Sequence, residues 1–225
     1  MRRLPHGYTN RTHGDGTTVV KRYEGPDAAG RREREGRLLA DLADVLPVPP
    51  VLGADRDALT LGFVPGMPGQ ELLETGDAAE VLRVCGAILR SIHAVPPQSL
   101  SAPLPGRGPV LVHGDFGPNN LLLGFTSNLS TYAVTGVVDW EFAHLGEAIE
   151  DLAWCEWIVR THHPDRVDAL DAFFAAYGGP VPDWADRQDA MVARCVELRE
   201  FCRRWDPDGP AVDMWDGRIA TTAGW

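Results

Sequence analysis

The stretch HGDFGPNNLLL, residues 113–123, sets Asp115 and Asn120 five residues apart in a loop broken by glycine and proline. Proline and glycine stop a helix there. A carboxylate in a loop at a strand end can orient a hydroxyl and accept its proton. An amide carbonyl five residues later can reach a metal ion on the same side. A second carboxylate, Asp139, ends the apolar run VTGVVD. If the strands flanking the loop pair, Asp139 arrives beside Asp115 and Asn120. Hard oxygen donors without thiolates or a histidine pair suit Mg²⁺, which in such sites leans on substrate phosphates. Phosphoryl transfer asks for this set: a group that aims the nucleophile, metal ligands, and a cation on the phosphates.

The cation candidate is Lys21 in TTVVKRY, residues 17–23. On an alternating strand it shares a face with Val19 and Tyr23, whereas Arg22 points the other way. A lysine among apolar neighbours needs an anionic partner. The helix read over residues 27–44 offers Glu33 or Glu35. Leu39 and Leu42 lie one and two turns beyond Glu35 and mark the packed side, which favours Glu35.

These side chains require elements to hold them. Strands are expected over 17–23 and 58–64, with the apolar-striped helix between them, halted by the prolines of LPVPPVLGA. PGMPG, residues 65–69, breaks the pattern and is the candidate hinge. An amphipathic helix follows over 77–95, then a buried strand over 110–113, and a hairpin made by NLLL and YAVTGVVD. From about Ile149 the chain reads as helical, with Trp154, Trp157, Phe173, Phe174 and Tyr177 as core. Trp205, Trp215 and Trp225 fall in a polar tail interrupted by proline and glycine, and are candidates to line an acceptor site. His93 reads as a buried, hydrogen-bonded histidine, and His162 and His163 as loop residues.

HGDFGPNN followed by VVDWE resembles the aminoglycoside phosphotransferase family, which includes choline-kinase-like small-molecule kinases. LPHGYTNRT resembles that family's phosphate loop, VVKRY its lysine strand, REREGRLLADL its Glu-bearing helix, LTLGFVPG its hinge, ILRSIHAV the helix before the catalytic loop, and EDLAW its downstream element. The resemblance implies an α+β, two-lobed, protein-kinase-like fold: a small strand-rich N-terminal nucleotide-binding lobe, 1–64, and a larger, mostly helical catalytic and acceptor-binding lobe, 65–225, joined about 61–69. It implies Asp115 as catalytic base, Asn120 and Asp139 as Mg²⁺ ligands, and Lys21 on the α/β-phosphates with Glu35. It sets Gly7, Thr9 and Asn10 over the phosphates and the backbone of Gly62 and Val64 against the nucleobase of ATP or GTP. His113 would brace the loop, Asp151 would tie down the catalytic segment, and Glu141 would touch a second metal. The phosphate loop departs from the pattern: His6 stands where a second glycine is common, leaving Gly7 alone.

Composition narrows the partners. A formal net charge of −11 argues against a nucleic-acid binder, which needs a Lys/Arg surface. No apolar run approaches membrane-spanning length, and the basic N-terminus lacks the apolar stretch of a signal peptide. Four cysteines without a CxxC pair point to a reducing, cytoplasmic setting rather than to zinc. Residues 141–171 carry eight acidic residues and two arginines; bordering the cleft, they would draw a cationic small-molecule acceptor. Two rival classes use the same residues. A nucleotide-binding regulator would bind without turnover, and a metal-dependent phosphoesterase would need neither the lysine strand nor the hinge.

Overall fold

A computed structural model describes residues 2–3, 10–125 and 131–225. Strands β1 (Arg2–Arg3), β2 (Asn10–Gly14) and β3 (Thr18–Tyr23) come first. Helix α1 (Ala28–Leu42) follows, then β4 (Val51–Ala54) and β5 (Ala58–Gly62). The five strands form one antiparallel sheet in the order β1-β2-β3-β5-β4. The Asp15 carboxylate closes the β2–β3 turn by accepting from the N–H groups of Thr17 (3.0 Å) and Thr18 (2.8 Å). Gly16 supplies the positive φ, 87°, that this turn demands.

Helix α1 buries one stripe, Arg31, Glu35, Leu38, Leu39 and Leu42. The apolar part of the stripe joins Leu59, Leu61 and Tyr23 of the sheet in the main core. The helix ends ahead of Pro47, Pro49 and Pro50, as expected, but the same segment then enters β4, which the sequence reading treated only as a breaker. β4 is an edge strand whose residues alternate between half-buried and exposed. Proline neighbours mask so short an alternation.

The chain leaves the first sheet after Gly62. β6 (Met67–Pro68) already pairs with a different sheet, so the change of sheet falls inside the segment expected to be a hinge. Helices α2 (Gly69–Thr75) and α3 (Ala78–His93) follow. Asp77 caps α3 by accepting from the Glu80 N–H at 3.1 Å. Val81, Leu82, Cys85, Leu89 and Ile92 are fully buried along one side of α3.

β7 (Val110–Val112) pairs antiparallel with β10 (His144–Gly146), a strand missing from the sequence reading. β8 (Leu121–Phe125) and β9 (Tyr132–Val137) form the expected hairpin, with Leu121 opposite Val137. Helices α4 (Ala148–His162), α5 (Leu170–Tyr177), α6 (Trp184–Trp205) and α7 (Pro210–Ala223) complete the chain. Helix α5 lies against α3 where Gly86 leaves room: a Cβ there would meet the Phe173 carbonyl at 2.1 Å.

The tail expected to be broken is instead α7, with Pro210 at its first turn, where a missing N–H costs nothing. Its Trp215 is buried with Trp154, Trp157, Met191 and Cys195 in a second core between α4, α6 and α7. His162 closes α4, and His163 caps it, 8% exposed, so both belong to the helix end rather than to a loop. Among the described residues no helix is long and apolar enough to cross a membrane.

Candidate active site

The loop after β7 is held from below by a buried carboxylate. Asp151, in the first turn of α4, accepts from the backbone N–H of His113 (2.7 Å) and of Gly114 (3.0 Å). His93 reaches the same carboxylate at 3.1 Å and Tyr177 at 2.9 Å. Burial works to raise the pKa of Asp151, but these donors hold it below the usual carboxylate value. Gly114 adopts φ 82°, and a Cβ would strike the Phe142 carbonyl at 2.4 Å. His113 sits 3.0 Å from the Val138 carbonyl through Nε2 and 3.3 Å from the Asp115 N–H through Nδ1. Those partners assign a neutral ring with its proton on Nε2, and burial keeps its pKa below the ordinary value.

Both oxygens of Asp115 are engaged. Asn120 Nδ2 donates to Oδ2 at 2.9 Å and to the Asp115 carbonyl at 2.7 Å. The indole Nε1–H of Trp154 donates to Oδ1 at 2.8 Å. Burial, then the charge of Asp139, pushes the pKa of Asp115 up to about 6 against these bonds. With its nitrogen committed to Asp115, Asn120 has its carbonyl oxygen left to offer a cation.

The hairpin delivers Asp139. The Val138 N–H continues the ladder by donating to the Asn120 carbonyl at 3.0 Å. Asp139 then turns into the left-handed region at φ 68°, rare for a non-glycine residue. Lys21 Nζ contacts Asp139 Oδ1 and lies 2.6 Å from Glu35 Oε2. Glu35 also accepts from the Tyr23 hydroxyl at 2.5 Å and from the Trp140 N–H at 3.2 Å. Burial opposes the charge on Lys21, but Asp139 and Glu35 hold its pKa well above the ordinary value. Glu33 pairs with Arg37 on the exposed side of α1.

Glu141 is fully buried and ion-paired with Arg31, itself 2% exposed. Asn10 Nδ2 donates to Glu141 at 2.8 Å, and Arg34 donates to its carbonyl at 2.7 Å. Carboxylate oxygens of Glu35, Asp139 and Glu141 lie within 4.8 Å of one another. Lys21 and Arg31 balance much of that charge. The donor set fits a hard divalent cation: Asp139 and Asn120 offer oxygen from the two sides of the hairpin, and Asp139 faces a cavity.

That cavity, about 490 Å³, brings Asp115, Asn120, Asp139 and Glu141 onto one wall. Its other walls include Trp154, Trp157, Phe201, Trp205, Met214 and Trp215. Trp154 and Trp157 stack at 4.4 Å between ring centroids, and Trp157 meets Trp215 at 5.8 Å. Trp205 and Trp215 line this space as the sequence suggested; Trp225 does not. Of the other expected site residues, Gly7 and Thr9 lie outside the described residues. Asn10 turns to Glu141. The Gly62 N–H is taken by the Pro50 carbonyl at 2.8 Å, and Val64 packs toward Gly136; neither lines the cavity.

The stretch 141–171 borders the cavity through Phe142, Trp154, Trp157, Ile158, His162 and His163, but of its acidic residues only Glu141 lines it. Glu150 pairs with His144, Glu156 with Arg160 and Arg187, and Asp151 is buried beneath the loop. Two residues that sequence reasoning passed over belong to the site. Trp154 lies three residues after Asp151, on the same face of α4, and Arg31 lies one turn before Glu35 on the buried stripe of α1. Both offsets were legible in the sequence.

The chain matches the model of the phosphotransferase enzyme family over residues 1–109 and 98–189. No curated protein sequence matches it at a significant level. Among solved structures, it is similar to the apoenzyme of macrolide 2'-phosphotransferase MphH from Brachybacterium faecium, at 20% identity, with 97% of this chain and 91% of that chain covered, TM-score 0.69. It is similar to the GDP and kanamycin complex of APH(2")-IIIa, at 16% identity, 99% and 92% coverage, TM-score 0.76. A choline/ethanolamine kinase family protein from Mesorhizobium loti aligns at 16% identity, 99% and 86% coverage, TM-score 0.64.

Proposed function

We propose that this chain, which belongs to the phosphotransferase enzyme family, moves the terminal phosphoryl group of ATP or GTP to a hydroxyl of a small molecule. As a member of that family the protein is a small-molecule phosphotransferase. The donor, the acceptor and the roles of individual residues are our reading. One observation carries it: Asp115, Asn120 and Asp139 meet on one cavity wall, with the Lys21–Glu35 pair directly behind Asp139.

In this reading Asp115 accepts the proton of the acceptor hydroxyl and aims its oxygen at the phosphorus. Its carboxylate is preset by Trp154 and Asn120, so little reorganisation is left to the reaction itself. A pKa of about 6 leaves it ionised at neutral pH yet basic enough to take a proton. Asn120 and Asp139 would hold Mg²⁺, which when bound neutralises phosphate charge. Lys21, kept fully charged by Glu35 and Asp139, meets the α/β-phosphates. Gly7 and Thr9 are proposed to cover the phosphates, with Asn10 anchoring the start of β2. The backbone about Gly62 and Val64 is proposed to receive the base. The five-stranded sheet then serves as the nucleotide lobe and the helical body as the acceptor lobe, joined through residues 61–69. GDP complexes among the similar solved structures, and the streptomycin–ATP ternary complex of APH(2")-IIa, support a guanine or adenine nucleotide as donor.

The test is transfer of label from γ-labelled ATP and GTP, with Mg²⁺, to a panel of hydroxyl compounds. Wild-type enzyme should label at least one acceptor. Asp115→Ala should lower turnover by about a hundredfold or more while still binding nucleotide. Unchanged turnover in Asp115→Ala would remove the proposed base.

A further inference from the structure

We infer, on the phosphotransferase reading above, that the acceptor presents a broad apolar face and is not a polycation. Negative charge lines the cavity on the reaction side only. Among the described residues lining it, the carboxylates are Asp115, Asp139 and Glu141. The first two belong to the chemistry, and the charge of Glu141 is met by Arg31. The acidic residues of α4 are spent away from any ligand ammonium, on His144, Arg160, Arg187 and the backbone of the catalytic loop.

The acceptor walls come from α4, α6 and α7 and are aromatic and aliphatic: Trp157, Ile158, Leu198, Phe201, Met214 and Trp215. Among the described residues the one Lys or Arg side chain there is the cavity's own. The Arg218 guanidinium lines the cavity, 4.5 Å from the ring centroid of Trp215 and 5.5 Å from that of Trp157. It takes the aromatic attraction a ligand ammonium would seek. His162 and His163 also line it, and an imidazole, neutral or protonated, supplies no anionic partner. A polyammonium compound entering this space would desolvate several charges against apolar walls, which is unfavourable without a partner for each. A compound with an apolar ring face would instead gain from burial. Leu198, Met214, Trp215 and Arg218 are therefore specificity-determining positions.

The experiment compares four probes with the full chain, Mg²⁺ and labelled nucleotide: kanamycin, choline, phenyl β-glucoside and a macrolide bearing one amine. The better of the last two should exceed kanamycin in kcat/KM by at least about tenfold. Met214→Glu, at an exposed wall position, should narrow that ratio by favouring kanamycin, with its thermal midpoint confirming the fold. A higher kcat/KM for kanamycin in the wild type, or a ratio unmoved by Met214→Glu, would overturn the inference. Where no probe is turned over, binding decides, read from quenching of the cavity tryptophans with a non-hydrolysable nucleotide present. Saturable quenching by an apolar-faced probe and none by kanamycin supports it. No quenching by either apolar-faced probe, with nucleotide still raising the thermal midpoint, overturns the inference and leaves the phosphotransferase reading intact. Loss of the nucleotide effect as well would sink both.

Discussion

Asp115 works against the stability of the fold that carries it. Its pKa is raised from 3.8 to about 6 by burial and by Asp139, so the folded state disfavours its charge. The sign follows from linkage: the penalty is absent below the ordinary value, grows as pH rises toward 6, and is complete above it. Asp115→Asn should therefore raise the thermal midpoint by a few degrees at pH 8, with the gain shrinking toward pH 4, while transfer is lost. Melting curves across that range check it. Trp154→Phe keeps the ring but removes the indole donor. We expect kcat to fall about tenfold or more with the nucleotide KM nearly unchanged, because the base loses its aim and the nucleotide contacts do not; steady-state kinetics separate the two. At this scale Asp115, Asn120 and Asp139 were legible because their types and spacing announce oxygen chemistry. Lys21 and Glu35 were legible because a strand and a helix fix which side chains share a face. Trp154 and Arg31 were not read as site residues, because an indole in an apolar run passes for core and an arginine in a charged run passes for surface until their partners, 39 and 110 residues away, are known.

Helix α1 is pinned to the site by two buried pairs, Lys21–Glu35 and Arg31–Glu141, with Arg34 on the Glu141 carbonyl. Removing one member leaves a buried charge uncompensated. Arg31→Ala should cost about 3–5 kcal/mol in chemical denaturation, far more than Arg37→Ala in the exposed Glu33 pair, at about 0–1 kcal/mol. A smaller pH-dependent lock joins β10 to α4. The His144 ring hydrogen-bonds the Glu150 carboxylate at 2.7 Å. Burial opposes it, but Glu150 and the Phe142 carbonyl raise the His144 pKa above 6.5. The same bond holds Glu150 below 4.5. Histidine's contribution is complete below 6.5 and lost as pH rises through its raised value. Glutamate's is complete above 4.5 and lost as pH falls through its lowered value. His144→Ala should thus destabilise most between about pH 4.5 and 6.5, and progressively less outside it, in denaturation measured at several pH values. Elements with strong stripes matched expectation closely: α3 was read as 77–95 and spans Ala78–His93. β4 was missed because prolines precede it, and β10 because His-Leu-Gly offers no apolar run of the kind that marks the equally short β7. Helix α7 was hidden by the proline and glycines around Pro210, which here start a helix rather than prevent one.

The order of the whole molecule, a small sheet with one helix followed by a helical body carrying a polar hairpin, could be read from the chain because apolar periodicity changes where the sheets change. What surrounds the reaction could not. Whether the acidic stretch 141–171 faced the cavity depended on which side of α4 met α6, a tertiary fact with no local signature. In the proposed function, oxygen donors separated along the chain hold one Mg²⁺–nucleotide complex at a single wall. The direct measurement is calorimetric binding of ATP or GTP, with and without Mg²⁺, to wild type and to Asp139→Ala. Wild type should bind more tightly with the metal, and Asp139→Ala should lose that dependence while keeping its thermal midpoint within a few degrees. Equal metal dependence in the two proteins would contradict the assignment of Asp139 and the site built around it.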